Sequence, residues 1–107
     1  MTLVDAHSHL FPPAWRAGTR MPEAIFDLDL IFQRQDEAGL SMTILSDSHI
    51  WFGERDLGDI ASAREYNDFA ADVVRAHPRR LAALASVMPW RGRAHLDEAV
   101  RAIRDLG

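Results

Sequence analysis

The sequence predicts an α/β fold built on a parallel sheet. Three short, apolar, β-prone segments each precede a stretch with helical periodicity, so strand and helix alternate three times along 107 residues. The first and third helical stretches each run into a glycine, Gly39 and Gly107, the residue type that most often follows the end of a helix. This alternation is the order of a parallel sheet with right-handed crossovers.

Composition limits the kinds of function that the chain supports. With 48% hydrophobic residues the chain can bury a core, and its length allows one domain at most. A net charge of −4 argues against a nucleic-acid or anionic-membrane surface. The sequence contains no cysteine, no signal-peptide pattern and no run of ~20 apolar residues. We therefore expect a cytoplasmic protein with no nucleic-acid or membrane partner.

The first predicted strand carries the pair of residues most suggestive of chemistry, His7 and His9. Side chains two residues apart leave the same face of a strand, so both imidazoles can bind one divalent metal ion. Zinc is the expected ion, with manganese, iron or nickel as alternatives. Asp5 has the same parity and either orients an imidazole or ends the strand. Pro12-Pro13 then forces a loop at the strand's C-terminal end, where α/β proteins place their sites.

The segment over residues 14–26 contains glycine and proline and shows no clear periodicity, so it is predicted to be a long loop. Trp15, Arg16 and Arg20 could contact a substrate carboxylate there, because guanidinium matches carboxylate bidentately. The alternative is that these side chains are surface residues packed on the loop.

Further candidates follow the second strand. Asp27 is predicted to cap a helix that ends at Gly39, and residues 40–46 then form a strand. The segment after this strand carries His49 and Trp51, which we expect at the same edge as the histidine pair, as candidate substrate contacts. His49 is alternatively a solvated or capping residue.

The last third of the chain predicts an amphipathic helix from about residue 60 to 76, a strand over 81–87 and a final helix. Trp90 follows the third strand and is either a wall of the substrate pocket or a packing residue. The final helix carries an apolar stripe at helical spacing: Leu96, Ala99, Val100, Ile103 and Leu106.

Three sequence landmarks resemble the amidohydrolase superfamily, in the branch that contains aminocarboxymuconate-semialdehyde decarboxylase and the resorcylate decarboxylases. Residues 5–13 (Asp-Ala-His-Ser-His-Leu-Phe-Pro-Pro) resemble its N-terminal metal motif. Residues 63–68 resemble its Arg-x-x-Asn helix, and residues 78–85 resemble its Pro-x-Arg-Leu strand start. The landmarks come in the expected order and span nearly the whole chain.

This resemblance implies a (β/α)₈ TIM barrel, of which residues 1–107 supply about the first three βα units. Such a barrel takes about 250 residues, so the chain is expected to be the N-terminal segment of a single, incomplete domain. In the resembled family a later His and a later Asp complete the metal site. The segment alone is therefore expected to be inactive.

The resemblance also implies the chemistry: a metal-dependent hydrolase or non-oxidative decarboxylase acting on a small carboxylated or cyclic substrate. His7 and His9 are the implied metal ligands, and Arg16, His49, Trp51 and Trp90 are candidate substrate contacts. Homo-oligomerisation is left open. The recurring Arg-x-x-Asn pair is interpreted as part of a structural network, and no catalytic residue is assigned in this segment.

Two other functions remain open at this point. A metal-dependent phosphoesterase of the TatD or polymerase-histidinol-phosphatase type also opens with Asp-x-His-x-His, but the Leu-Phe-Pro-Pro continuation fits it less well. A non-catalytic truncated scaffold is the other alternative.

Overall fold

A computed structural model describes residues 2–47 and 58–107 of the chain. It contains a three-stranded parallel sheet in the order β1-β2-β3. A helix follows each strand, so the predicted α/β class and the predicted order of elements are confirmed. The strands and α-helices are β1 (Val4–Ser8), α1 (Leu28–Ala38), β2 (Met42–Leu45), α2 (Ile60–Ala76), β3 (Leu81–Ala83) and α3 (Arg93–Arg101). The final helix continues beyond α3 as a π-helical segment over Ala102–Leu106.

The ends of α1 follow directly from the sequence. The Asp27 carboxylate accepts the backbone N–H of Leu30 at 3.1 Å, which satisfies one of the helix's unpaired N-terminal donors. At the other end Gly39 has φ 68°, a left-handed conformation that glycine adopts without a steric penalty. The chain then turns into β2.

The pairing of β1 with β2 is irregular near the histidines. Asp5 lies opposite Thr43 and Ser8 lies opposite Leu45, so three steps along β1 match two steps along β2. This β-bulge changes the direction of the side chains that follow it. The side chains from Asp5 to His9 therefore do not alternate strictly between the two faces of the sheet.

Two apolar clusters form the core of the part of the chain that the structure describes. One lies between β1, β2, β3 and α1 and is built on Leu10, Ile31, Leu45 and Leu81. The other joins the segment after β1 to α2 and to the exit of β3, and is built on Phe11, Trp15, Tyr66, Ala70 and Met88. Trp15 is 1% exposed and belongs to this cluster, so the prediction of a surface residue is wrong for Trp15, and its contact with a substrate stays a prediction.

The third strand is shorter than the predicted 81–87, since it ends at Ala83. Further along, the side-chain amide of Asn67 occupies both backbone groups of Ser86. A side chain thus takes the hydrogen bonds that a neighbouring strand would otherwise receive.

The apolar stripe of the final helix does not lie on the buried side of the helix in this chain. Leu96 and Val100 are each 47% exposed and Ile103 is 75% exposed, whereas His95, Glu98 and Ala102 are buried. The reason is that Glu98 and His95 have polar partners on other elements, and these partners turn their side of the helix inward. The apolar stripe consequently faces outward in this chain.

Within residues 2–47 and 58–107, the helices lack the length and apolar character that crossing a bilayer requires.

Candidate metal-binding site

His7 and His9 come together at the C-terminal end of β1. Their ring centroids are 5.0 Å apart and the rings are nearly perpendicular, at 89°. His7 is exposed and His9 is half-buried. Two nitrogens that share a zinc ion lie within about 4 Å of each other, since each Zn–N bond is about 2.0–2.1 Å. The spacing of the rings is compatible with binding a common ion.

The hydrogen bond made by His9 defines its tautomer. Its Nδ1 lies 2.9 Å from the carbonyl oxygen of Ser46, the residue that follows β2. A carbonyl only accepts, so Nδ1 carries the hydrogen, and in the neutral ring Nε2 keeps its lone pair. A metal-binding histidine commonly has its second nitrogen bonded in this way. Ser46 is a site residue that the sequence reasoning missed.

Asp5 acts on the backbone beside the pair. Its Oδ1 accepts the backbone N–H of His7 at 3.1 Å. The carboxylate thus helps to set the main-chain conformation at the bulge, a role that differs from both of the predicted ones.

A pocket of about 240 Å³ lies beside the histidines, along the edge strand β1. Both imidazoles line it, together with Asp5 on β1 and with Arg34 and Gln35 on α1. An ion therefore has open access to the pair.

The two imidazoles can supply part of the ligand set of a metal ion. Within the described ranges no group of three or more His, Cys, Asp or Glu side chains is arranged to hold a metal. His7 and His9 supply two nitrogens, and a stable zinc site takes at least three protein ligands. The described residues therefore fit a divalent ion only together with ligands from elsewhere.

Two of the other predicted contacts, Arg16 and Trp90, are described by the structure and do not lie at this pair. Arg16 forms an ion pair with Glu23, and both side chains are largely exposed. Trp90 is 75% exposed on the turn after β3. Neither is among the described residues that line the pocket beside the histidines. His49 and Trp51 lie outside the described residues.

A buried polar network lies behind the strand ends, around Asn67. The Asn67 Nδ2 donates to the Ser86 carbonyl at 3.0 Å and to Glu98 Oε1 at 2.8 Å. In return, the Ser86 N–H donates to Asn67 Oδ1 at 2.6 Å. The predicted structural role of the Arg-x-x-Asn pair agrees with these contacts, because Arg64 also donates to Glu98, at 3.3 Å.

Glu98 is fully buried and stays ionised because cations surround it. Burial acts to raise the pKa of Glu98, but hydrogen bonds from Arg101 and Asn67 outweigh it, so the pKa is lower than that of an ordinary glutamate. Arg101 donates to the Glu98 carboxylate from two nitrogens, at 2.8 Å each, and also forms an ion pair with Asp68. The pKa of Arg101 is raised in turn by these carboxylates.

Tyr66 lies beneath the strand ends with its hydroxyl buried. Among the described residues this hydroxyl has no hydrogen-bond partner. Burial raises the pKa of the phenol, and the negative charge of Asp47 raises it further. Tyr66 is therefore neutral at physiological pH.

Solved structures share this fold. The chain matches a Staphylococcus aureus protein described as an amidohydrolase (TM-score 0.77, 21% identity), the 5-carboxyvanillate decarboxylase of Sphingomonas paucimobilis (0.79, 21%) and the 2,6-dihydroxybenzoate decarboxylase of Rhizobium (0.72, 22%). These matches cover 98–100% of this chain but only 35–40% of those chains. No protein-family model and no curated protein matches the sequence.

These neighbours confirm the amidohydrolase resemblance at the level of the fold. The three-stranded parallel sheet corresponds to the first βα units of a TIM barrel, as predicted. At about 21% identity the likeness extends to the fold, and the activity of this chain is a separate question.

Proposed function

We propose that this chain is the N-terminal part of a metal-dependent hydrolase or non-oxidative decarboxylase that acts on a small carboxylated or cyclic substrate. The observation that carries the proposal is the His7–His9 pair at the end of β1, with Nδ1 of His9 bonded to the Ser46 carbonyl. The fold adds support, since neighbours with the same arrangement of βα units are described as an amidohydrolase and as decarboxylases.

The chain's own residues have defined tasks in this proposal. His7 and His9 hold the ion, with zinc favoured and manganese as the alternative. The Ser46 carbonyl keeps the lone pair of His9 on Nε2, and Asp5 holds the backbone at His7. The ion itself would supply Lewis acidity at neutral pH, which serves either hydrolysis or decarboxylation.

We further infer that additional βα units complete the barrel. Three parallel strands leave β1 and β3 as sheet edges, and unpaired edges are rarely left open. A groove of about 230 Å³ runs beside β3 and is lined by apolar residues that include Leu84 and Ala102. The outward stripe on α3 is apolar as well. A following strand and helix would cover both surfaces, and later βα units would bring the missing ligands.

The substrate contacts of the complete site are a separate proposal. Arg16, His49, Trp51 and Trp90 keep their predicted role as candidates for the complete protein. For Arg16 this role requires the guanidinium to leave Glu23, since the two side chains are paired in this chain.

The test is a substrate panel with the complete, zinc-loaded protein. We expect either CO₂ release from small aromatic carboxylates or hydrolysis of small amides and lactones. The His9→Ala variant should lose this activity by a factor of at least about 100, because ligand loss removes the ion. His77→Ala is the matched control, since His77 packs against Phe32 and is remote from the proposed site in sequence. Activity on phosphodiesters alone, or full activity of His9→Ala, would contradict the proposal.

A further inference from the structure

We propose that Ser86 is a positioning residue for His9, which it reaches through Asp47 and the carbonyl of Ser46. This inference deepens the proposed function, since it concerns the same metal site. In this proposal, a residue that follows β3 fixes the orientation of a metal ligand that follows β1.

The first step is the contact between Ser86 and Asp47. The Ser86 hydroxyl donates to Asp47 Oδ2, so the carboxylate at the exit of β2 is bound to the exit of β3. Hydrogen bonds to an ionised acceptor are stronger than neutral ones, and this one joins residues 39 positions apart. The side chain of Asp47 is thereby held against the neighbouring strand end.

The second step passes from Asp47 to His9 through a single peptide unit. The Ser46 carbonyl and the Asp47 nitrogen belong to the same planar group, so the position of Asp47 restricts the direction of that carbonyl. The carbonyl accepts from His9 Nδ1 at 2.9 Å, and the Ser46 N–H donates to the Ser8 carbonyl, also at 2.9 Å. A displacement of Asp47 would therefore rotate the acceptor that orients the imidazole.

The third step explains why Ser86 is a firm anchor. Ser86 is 2% exposed and Asn67 is 3% exposed. The Asn67 amide bonds both backbone groups of Ser86, and Glu98 accepts a further hydrogen bond from the same amide nitrogen. Movement of Ser86 would leave several buried polar groups unpaired, which is costly. The contacts thus form a continuous path from Glu98 to His9.

The experiment compares Ser86→Ala with Ser62→Ala in the complete protein. Ser62 is also a buried serine, 7% exposed on α2, and it lies outside the path. Ser62→Ala therefore makes the same change of side chain without removing a contact of the path. Ser86→Thr is the conservative variant, because it retains the hydroxyl. Urea unfolding measures the stability of each variant and so separates loss of fold from loss of positioning.

The primary readout is made on the metal-free protein. Nitrogen NMR should show His9 with hydrogen on Nδ1, and exchange of this hydrogen with water should become at least about fivefold faster in Ser86→Ala, since the acceptor is less well held. Ser62→Ala and Ser86→Thr should retain the slow exchange. An unchanged rate in a folded Ser86→Ala protein would overturn the inference.

The secondary readout is zinc affinity, measured by competition with a chelator. Partners behind a metal ligand typically change affinity by 10–100-fold, and we expect about tenfold weaker binding in Ser86→Ala. Equal affinities of Ser86→Ala and Ser62→Ala would also count against the inference. Failure of the proposed function looks different, since zinc uptake would then be insensitive to His9→Ala while the NMR result could still hold.

Discussion

Truncation of Asn67 to alanine should be among the most destabilising single changes in the chain. The side chain is 3% exposed and makes three hydrogen bonds to buried groups: the Ser86 N–H at 2.6 Å, the Ser86 carbonyl at 3.0 Å and Glu98 Oε1 at 2.8 Å. Alanine would leave all three groups with one partner fewer in a dry environment.

The expected magnitude follows from the cost of an unpaired buried group. Glu98 Oε1 keeps its hydrogen bond from Arg101, so the Ser86 N–H and carbonyl are the two groups left unpaired. Each such group costs about 1–3 kcal/mol, so the two together imply a loss of about 2–6 kcal/mol. A whole domain is stable by about 5–15 kcal/mol, so Asn67→Ala should remove a large part of the total. The loss should appear as a lower midpoint in urea with little change in slope.

The control is Gln33→Ala on α1. Gln33 is also an amide with a hydrogen bond, to Glu37 at 2.8 Å, but that pair is exposed. An exposed pair of this kind on a helix is worth only about 0.2–0.5 kcal/mol. If Asn67→Ala costs less than about 1 kcal/mol, or no more than Gln33→Ala, the network around Asn67 does not hold the strand exit and the reasoning is wrong.

Three further predictions concern α3. Because the pKa of Glu98 is lowered in the folded state, its ionised form stabilises the fold above the ordinary pKa of 4.5, and this stabilisation is lost as the pH falls through the lower folded-state pKa. Glu98→Gln should therefore reduce the loss of stability at acid pH, and equal slopes of stability against pH in the variant and the wild type would contradict this. His95 accepts the Met88 N–H at Nδ1 and donates from Nε2 to the Gly58 carbonyl, so His95→Phe should cost about 2–4 kcal/mol in urea, and His95→Gln, which keeps a donor and an acceptor, clearly less. Val100→Asp should cost about 2 kcal/mol or more in the complete protein if a further βα unit covers this face, whereas a loss below about 0.5 kcal/mol would show that the face stays in water.

Local chemistry made much of the fold predictable. The Asp27 cap, the Gly39 end of α1 and the amphipathic run of α2 depend on residues a few positions apart, and the structure places all three as expected. The parallel order of the strands then follows from the alternation of strand and helix.

The face of α3 could not be predicted in the same way. Hydrophobic periodicity selects Leu96, Val100 and Ile103, but the burial of Glu98 depends on Asn67, which lies 31 residues earlier in the sequence. A carboxylate with several such partners is buried at little net cost, and a count of apolar residues contains no information about those partners.

The candidate site also combines features that the sequence predicted with features that depend on residues distant in the sequence. The proximity of His7 and His9 was predicted from their two-residue spacing, and the rings are indeed adjacent, although His9 follows the last residue of β1 and the bulge interrupts the alternation that the prediction assumed. The hydrogen-bond partners of the two histidines could not be predicted, since the Ser46 carbonyl is 37 positions from His9 and the bulge in β1 has no clear signal in the sequence. The metal ligation itself stays a prediction.

The most direct test of the central claim is a zinc titration of the complete protein, with bound metal measured after equilibrium dialysis. The wild type and the His77→Ala control should each retain zinc at a defined stoichiometry, and His7→Ala/His9→Ala should lose that zinc while remaining folded. Equal zinc uptake by a folded double variant and the wild type would show that the two imidazoles at the end of β1 hold no ion.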